Sequence, residues 1–326
     1  MVEGRTISVF RTVNEIPAGF GPSVAAIGNF DGVHLGHQQV LSAVVVEART
    51  RGAQAVAITF DPHPERFLRP DAAPQLLTPI DERLRLLAFT GIDAVLVLPF
   101  NAQLASLAAR EFVRTILAGA LHVCGLHEGD NFRFGVGAEA GVDELKAFGD
   151  EFGFSLHVHQ PVRVCGPRIP AIEVSSSAIR EAIANGDVAR ARWMLGRPFA
   201  VRSTQARGRG IGTRLLVPTV NLAAYDELLP AFGVYVTRLT INGRVFQAVT
   251  NVGNRPTFGA ASFAVESHIL DFEPIEMDAQ TPIELEFLLR LRGEIEWPSP
   301  EALKAQIFKD VGQAKRAFRL LAKSKS

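Results

Sequence analysis

Gly28-Asn29-Phe30-Asp31-Gly32-Val33-His34-Leu35-Gly36-His37 lies between an apolar run, Ser23–Ile27, that suits a short strand, and Gln38–Arg51, whose apolar spacing predicts an amphipathic helix. A glycine-bearing turn between strand and helix leaves free N–H groups and the positive dipole end at the helix start. His34 and His37, three positions apart, fall on one side of that first turn. Such a turn suits phosphate. It points to a nucleotide without saying what is done to it.

Outward from this turn, short apolar runs alternate with helix-like segments as far as about Leu195. Ala53–Phe60, Ala94–Leu98 and Ser155–His159 read as strands; Glu82–Phe89, Ala108–Ala118 and Val142–Phe152 read as helices. That alternation predicts a parallel sheet covered on both faces. Ligands of such sheets sit beyond the carboxyl ends of the strands, where the His34 turn falls. The strand ending at Phe60 runs into Asp61-Pro62-His63-Pro64, and two prolines force an extended exit. This would hold His63 at the same sheet edge as His34; a stiff surface turn is the competing reading. Gly129-Asp130-Asn131-Phe132-Arg133-Phe134-Gly135 has the composition to hold a flat ring, or to pack as an aromatic hairpin. Ser175-Ser176-Ser177-Ala178-Ile179-Arg180 opens a helix with good capping residues. Arg180, a cation near the start of that helix, is disfavoured by the dipole and hints at an anionic partner. A plain capped start explains the serines equally.

With 326 residues, two domains are the better prior. Apolar residues make up 47% and charged ones 21%, enough to bury large cores. Lys+Arg and Asp+Glu are equal at 34 each, against the basic excess of a generic nucleic-acid or membrane-surface binder. Met1–Phe10 lacks the apolar core of a signal peptide, and no apolar run approaches the ~18–20 residues of a span. Cys124 and Cys165 are too few for a disulfide framework. A cytoplasmic protein is the expectation.

A short helix within Gly186–Pro198 ends at Gly196 and Pro198, so domains of 1–186 and 187–326 are expected. Beyond it Val234–Ile241, Val245–Val252, Phe263–Leu270 and Ile283–Leu291 read as strands, parted by Asn242-Gly243, Gly253-Asn254 and a loop with Pro274. Asn-Gly between apolar runs signals a hairpin, and several such strands suggest a small antiparallel barrel. A final helix lines up Leu303, Ile307, Val311, Ala314, Phe318 and Leu321 as a packing stripe.

Gly208-Arg209-Gly210-Ile211-Gly212-Thr213-Arg214 is not a Walker A loop, but backbone N–H groups of Gly208, Gly210 and Gly212 can still wrap phosphate. Thr219 and Asn221, two apart on an extended segment, place a hydroxyl and an amide side by side, oxygen ligands acceptable to Mg²⁺. Glu266 is a carboxylate with the chemistry of a base, or an ordinary strand glutamate.

Together these motifs resemble the bifunctional riboflavin kinase/FMN adenylyltransferases, the bacterial FAD synthetase type, from about residue 10 to 320. The first half carries the resemblance on Gly28–His37, Asp61-Pro62-His63-Pro64, Asn131–Gly135 and Ser175–Arg180. The second carries it on Pro218-Thr219-Val220-Asn221, Gly233-Val234-Tyr235, Asn251–Thr257 and Glu266–Phe272. The His-x-Gly-His element alone marks only a nucleotidyltransferase superfamily; both sets in this order mark the bifunctional family.

The resemblance implies a Rossmann-like α/β nucleotidyltransferase domain of the HxGH type, followed by a small antiparallel β-barrel riboflavin kinase domain with a C-terminal helix. It implies ATP, riboflavin and FMN as substrates and Mg²⁺ as cofactor. The kinase would make FMN from riboflavin, and the first domain would transfer AMP to FMN, giving FAD and pyrophosphate. It assigns His34, His37 and Glu266 to catalysis, with Gly28, Asn29, Phe30, Asp31, Gly32, Ser176, Ser177, Arg180, Gly208, Gly210 and Gly212 to ATP and phosphate. Phe60, His63, Asn131, Phe132 and Arg133 would hold flavin, and Thr219 with Asn221 the metal. Expected partners are these small molecules, with room for weak self-association and none for nucleic acid or membrane.

The chain departs from the family pattern at Thr213, Leu216 and Val217 in the kinase phosphate loop, and at His127-Glu128, where an apolar strand is usual. An adenylyltransferase with an impaired kinase is therefore the alternative enzyme. A non-enzymatic flavin carrier is a third reading, and a zinc centre on His34, His37 and Asp31 would want a third well-spaced ligand.

Overall fold

Buried on both faces, the apolar runs of the first half can only be the strands of a covered parallel sheet. The computed structural model describes residues 7–166, 169–206, 219–255, 262–271, 275, 277, 278 and 280–323. The chain separates into two units, Met1–Ser176 and Ser177–Ser326, a division earlier than the expected boundary at residue 186.

The first unit runs β1 (Ser8–Phe10), β2 (Ser23–Ile27), α1 (Leu35–Arg51), β3 (Gln54–Phe60), α2 (Pro64–Leu68), α3 (Ile80–Ala88), β4 (Ala94–Leu98), α4 (Ala102–Ala105) and α5 (Ala109–Phe112). The last continues as a π-helical stretch, Val113–Ala120, followed by β5 (Val123–Gly129), α6 (Val142–Phe152) and β6 (Ser155–His159). Its six strands are parallel in the order β1-β4-β3-β2-β5-β6. One core, around Leu41, Val44, Ala57 and Val95, fills the face under α1 and α3. The other, around Ile58, Leu96, Phe112, Leu117 and Leu145, fills the opposite face. A hairpin of β7 (Arg163–Gly166) and β8 (Ile169–Glu173) follows.

From β2 the strand order runs outward to β3 and β4, then reverses to β5 and β6, so the crevice rule selects the carboxyl ends of β2 and β5. Backbone pairing of these two strands ends at Ala25–Leu126. Beyond that point the Glu128 carboxyl accepts the Ile27 N–H at 2.7 Å. β5 was not among the expected strands, because His127-Glu128 interrupts its apolar pattern; both lie inside it.

The second unit holds α7 (Ser176–Ala184, its first residue belonging to the first unit), α8 (Val188–Leu195), β9 (Phe199–Ser203), β10 (Thr219–Asn221), β11 (Gly233–Ile241), β12 (Arg244–Arg255), β13 (Ser262–Ile269), β14 (Ile283–Gly293) and α9 (Pro300–Lys323). The antiparallel order is β10-β13-β12-β11-β14-β9. Past β9 and β10 the two edges meet, Ala206 N–H donating to Asn221 O and Ala223 N–H to Thr204 O, both at 2.9 Å. The sheet thus curls into the expected small barrel. Gly253-Asn254 does not end its strand, as expected from sequence; β12 continues to Arg255, because glycine costs a strand little when both neighbours pair with it.

Inside the curl, Thr237, Thr250 and Ser267 are fully buried and linked through their hydroxyls, at 2.6 and 2.8 Å. On the outer face α9 packs Ala314 and Phe318 against Val234, Val236 and Val249. Buried Asp310, on the same stripe, accepts from Arg292 of β14 at 2.9 Å. The expected stripe packs only from Val311 onward in full; Leu303, in the first turn, is exposed. No helix among the described residues is long and apolar enough to cross a membrane.

Candidate functional site

β2 delivers the chain into a turn that needs left-handed backbone at Phe30, Gly32 and Val33, with φ of 47°, 84° and 37°. Buried Asp31 holds it there. Its Oδ1 accepts from Thr78 N and Thr78 Oγ1, at 2.9 and 3.1 Å, and its Oδ2 from Leu77 N at 3.1 Å. The Thr78 hydroxyl also receives Gly32 N–H at 2.9 Å. Charge-assisted bonds of this kind contribute about 1.5–3 kcal/mol each, enough to hold a turn with two non-glycine residues at positive φ. Asp31 is thus a brace for the turn.

His34 is the N-cap of α1: its Nδ1 accepts the His37 N–H at 3.3 Å. A ring nitrogen that accepts has no proton, so the neutral imidazole carries its proton on Nε2. The rings of His34 and His37 stack with centroids 3.6 Å apart and planes 16° from parallel. Glycine at 36 makes this possible, since a Cβ there would come within 3.2 Å of His34 Cε1. Helix α1 begins at Leu35, earlier than the expected Gln38, because His34 supplies the cap. Phe30 meets the His37 ring edge-on at 5.2 Å. The Ser176 hydroxyl, at the head of α7, donates to Asp31 O at 2.8 Å. Gly28–Gly32, His34, His37 and Ser176 are therefore brought together.

The neighbouring strand end joins this group. Thr59 Oγ1 donates to Asn29 O at 3.2 Å. Fully buried Arg83 of α3 donates to Phe60 O at 3.1 Å. Buried His63 caps α2, its Nδ1 accepting Glu65 N–H at 3.2 Å. Beyond β5, Phe132 stacks on Phe134 at 5.4 Å and Phe134 packs edge-on against Phe112 and Phe148, so these aromatics do support the core. Asn131 and Arg133 are exposed. Ser177 and Arg180 follow in α7, Arg180 four positions after Ser176 and so on the same helical face.

Stacked, nearly parallel rings do not converge on one ion, and Asp31 is committed to Leu77 and Thr78. The zinc reading of His34, His37 and Asp31 finds no support in this geometry.

Glu128 sits at the crevice with 2% exposure, and burial pushes its carboxyl well above the usual range, against the opposing pull of the Ile27 N–H. A carboxyl raised in the fold keeps a proton that the unfolded chain has released. Stability from this group is therefore full below the unfolded pKa, about 4.3, and falls as pH rises toward the folded one. Glu128→Gln keeps an oxygen for Ile27 and removes that slope. Melting temperatures of the two proteins, compared from about pH 4 upward, should show the wild type losing ground steadily. A pH-independent difference would mean that the carboxyl is already ionised in the fold.

In the second unit, register builds the site. Asn221 of β10 lies directly opposite Glu266 of β13, and Asn251 of β12 flanks Glu266 on the other side. Thr219 lies opposite His268, two residues along on the same face. The hydroxyl, the two amides and the carboxylate thus line one row pair. Gly208, Gly210, Gly212, Thr213, Leu216 and Val217 lie outside the described residues.

Sequence reasoning missed Thr78, Arg83 and Asn251. Thr78 precedes Pro79 at a helix start and carries no motif; Arg83 looks like a surface residue of an amphipathic helix; Asn251 needs the register.

Comparison with known proteins agrees with both halves. Residues 17–173 match the FAD synthetase family model and residues 195–318 the riboflavin kinase model. The bifunctional riboflavin kinase/FMN adenylyltransferase of Escherichia coli (strain K12) is 36% identical over 299 residues, 91% of this chain and 93% of its own length. That of Pseudomonas fluorescens is 36% identical over 293 residues, 90% of this chain and 92% of its own length. A solved structure described as a macrolide-efflux protein from Streptococcus pneumoniae is 28% identical, with a TM-score of 0.83 over 94% of this chain and 98% of that one. With both domains present in order and both turns built as their chemistry requires, the chain belongs to the family of bifunctional riboflavin kinase/FMN adenylyltransferases.

Proposed function

We propose that the Gly28–His37 turn carries the transfer of AMP from ATP to FMN, and that the Thr219, Asn221 and Glu266 face carries the phosphorylation of riboflavin by ATP. Residues 1–186 are assigned to the first reaction and 187–326 to the second; the Ser176–Asp31 bond at the head of α7 supports including that helix with the adenylyltransferase.

The observation that carries the first assignment is the His34 cap, which presents an Nε2–H beside the His37 ring at a helix N-terminus. In adenylyl transfer an FMN phosphate oxygen attacks the α-phosphorus of ATP, and the bond to pyrophosphate breaks. The nucleophile is competent as it stands, so no covalent enzyme intermediate is needed. The protein aligns the reactants and stabilises the charge growing on the α-phosphate and the leaving pyrophosphate. His34, His37 and the first N–H groups of α1 supply donors for that charge. Gly28–Gly32 shape the turn, Ser176 and Ser177 extend the phosphate contacts, and Arg180 grips the triphosphate in a two-point fork that Lys does not offer. Phe60, His63, Asn131, Phe132 and Arg133, on the loops after β3 and β5, receive the flavin.

In the kinase, Glu266 takes the proton of the ribityl hydroxyl as its oxygen attacks the γ-phosphorus of a second ATP. Thr219 and Asn221 offer a hydroxyl and an amide oxygen on the face shared with Glu266, a donor set that fits Mg²⁺. Bound there, Mg²⁺ neutralises phosphate charge. The backbone of Gly208, Gly210 and Gly212 would wrap the phosphates.

Riboflavin, ATP and Mg²⁺ incubated with the whole chain should yield FAD, with FMN passing through as an intermediate on chromatography. FAD from supplied FMN, but none from riboflavin, would reduce the protein to an adenylyltransferase. Flavin binding without turnover would overturn both assignments.

A further inference from the structure

Outside both proposed sites, one carboxylate draws three imidazoles into a cluster at the free edge of the parallel sheet. Glu47 lies in the C-terminal half of α1, His127 on β5, and His157 and His159 on the edge strand β6. Glu47 Oε2 is 2.7 Å from His127 Nε2 and 3.1 Å from His157 Nε2. The ligand atoms of these three residues all lie within 4.8 Å of one another. The His127 and His157 rings run side by side, centroids 4.7 Å apart and 20° from parallel, so that both Nε2 atoms address one oxygen.

The surroundings have the features of an outer shell. His127 Nδ1 is 2.9 Å from His159 Nε2, which fixes the orientation of the buried His127 ring. The second carboxylate oxygen, Oε1, is held by Arg51 at 2.7 Å and by the Ser155 hydroxyl at 3.4 Å. The strand makes room for that oxygen by having glycine at 125, where a Cβ would come within 2.5 Å of it. The His157 side chain is 48% exposed, which gives an ion a path from solvent.

We propose that Glu47, His127 and His157 form a binding site for a borderline divalent transition-metal ion of the Zn²⁺ class, with His159, Arg51 and Ser155 as positioning residues. Two imidazole nitrogens and one carboxylate oxygen leave a fourth position for water, a set that suits such ions. With metal–ligand bonds of about 2.0–2.1 Å, tetrahedral ligand atoms stand about 3.3 Å apart. The separations of 2.7 and 3.1 Å need to widen by only a few tenths of an ångström. Mg²⁺ prefers an all-oxygen octahedron, so this site is chemically separate from the Mg²⁺ proposed at Thr219 and Asn221. The ion would clamp α1 to β5 and to the sheet edge, and raise the unfolding temperature of the first unit.

The test is a Co²⁺ titration of the chelator-treated full-length protein, without nucleotide, read by visible absorption and by thermal melting. One equivalent should develop the ligand-field bands of a four- or five-coordinate N/O site and raise the melting temperature. Zn²⁺ should displace it, and millimolar Mg²⁺ should not. His157→Ala, at a half-exposed position, should weaken binding at least 100-fold with an unchanged circular dichroism spectrum. His159→Phe should weaken it about 10–100-fold, as lost outer-shell partners do. Glu47→Gln, which keeps a hydrogen-bond acceptor, should also abolish the bands. Absent bands in the wild type would overturn the proposal and leave a purely hydrogen-bonded cluster. Thiolate charge-transfer bands, displacement by Mg²⁺, or wild-type affinity in His157→Ala would overturn it equally.

Discussion

Glu266→Gln stops the formation of FMN from riboflavin while supplied FMN is still converted to FAD. The substitution keeps the size of the side chain and a hydrogen-bonding partner for Asn221 across the strand pair, so the face at β10 and β13 survives. What disappears is the capacity to take a proton. Loss of a positioned general base lowers the rate about 10²–10⁴-fold. Initial rates with riboflavin and with FMN as alternative substrates separate the two activities. A variant that phosphorylates riboflavin at the wild-type rate would remove Glu266 from the chemistry.

His37→Ala has the opposite signature. FMN accumulates from riboflavin, and FAD does not form. The substitution deletes the ring stacked on His34 but leaves the backbone N–H that His34 caps, and alanine is a good helix former at a part-buried position. Removal of one charge-stabilising donor costs about 10²–10³-fold in turnover. Binding of ATP, measured separately, should change much less than turnover, because the donor acts on charge that develops during the reaction. Equal loss of both activities would contradict two separate sites.

Local chemistry made half of this architecture legible. The Gly28–His37 turn was readable because every part of its job is local: the strand before it, the helix after it, and two histidines within one turn. The hairpin at Asn242-Gly243 was readable for the same reason. Strand β5 was not, since a buried Glu and a buried His within it contradict the rule that a covered strand is apolar. Those two residues are where the fold departs from the simplest parallel sheet. Glu128 replaces a ladder partner for Ile27, and His127 faces a carboxylate on α1. The brace on Asp31 was equally invisible, because Thr78 is distant in sequence and only the fold brings it back. In the barrel, Asn221 and Glu266 were each suspected alone; strand register alone makes them neighbours.

Helix α1 spans 17 residues, and at about 1.5 Å per residue it is a rod about 25 Å long. Its first turn bears the stacked histidines, while Glu47 and Arg51 near its far end bind the edge of the sheet. It behaves as a lever moored at both ends. A slip of half an ångström at the far mooring tilts such a rod by about one degree, too little to unfold anything, yet it is transmitted undiminished to the direction in which the histidines point. Substitutions around Glu47 therefore belong with the determinants of nucleotide alignment, although they touch none of the residues assigned to nucleotide.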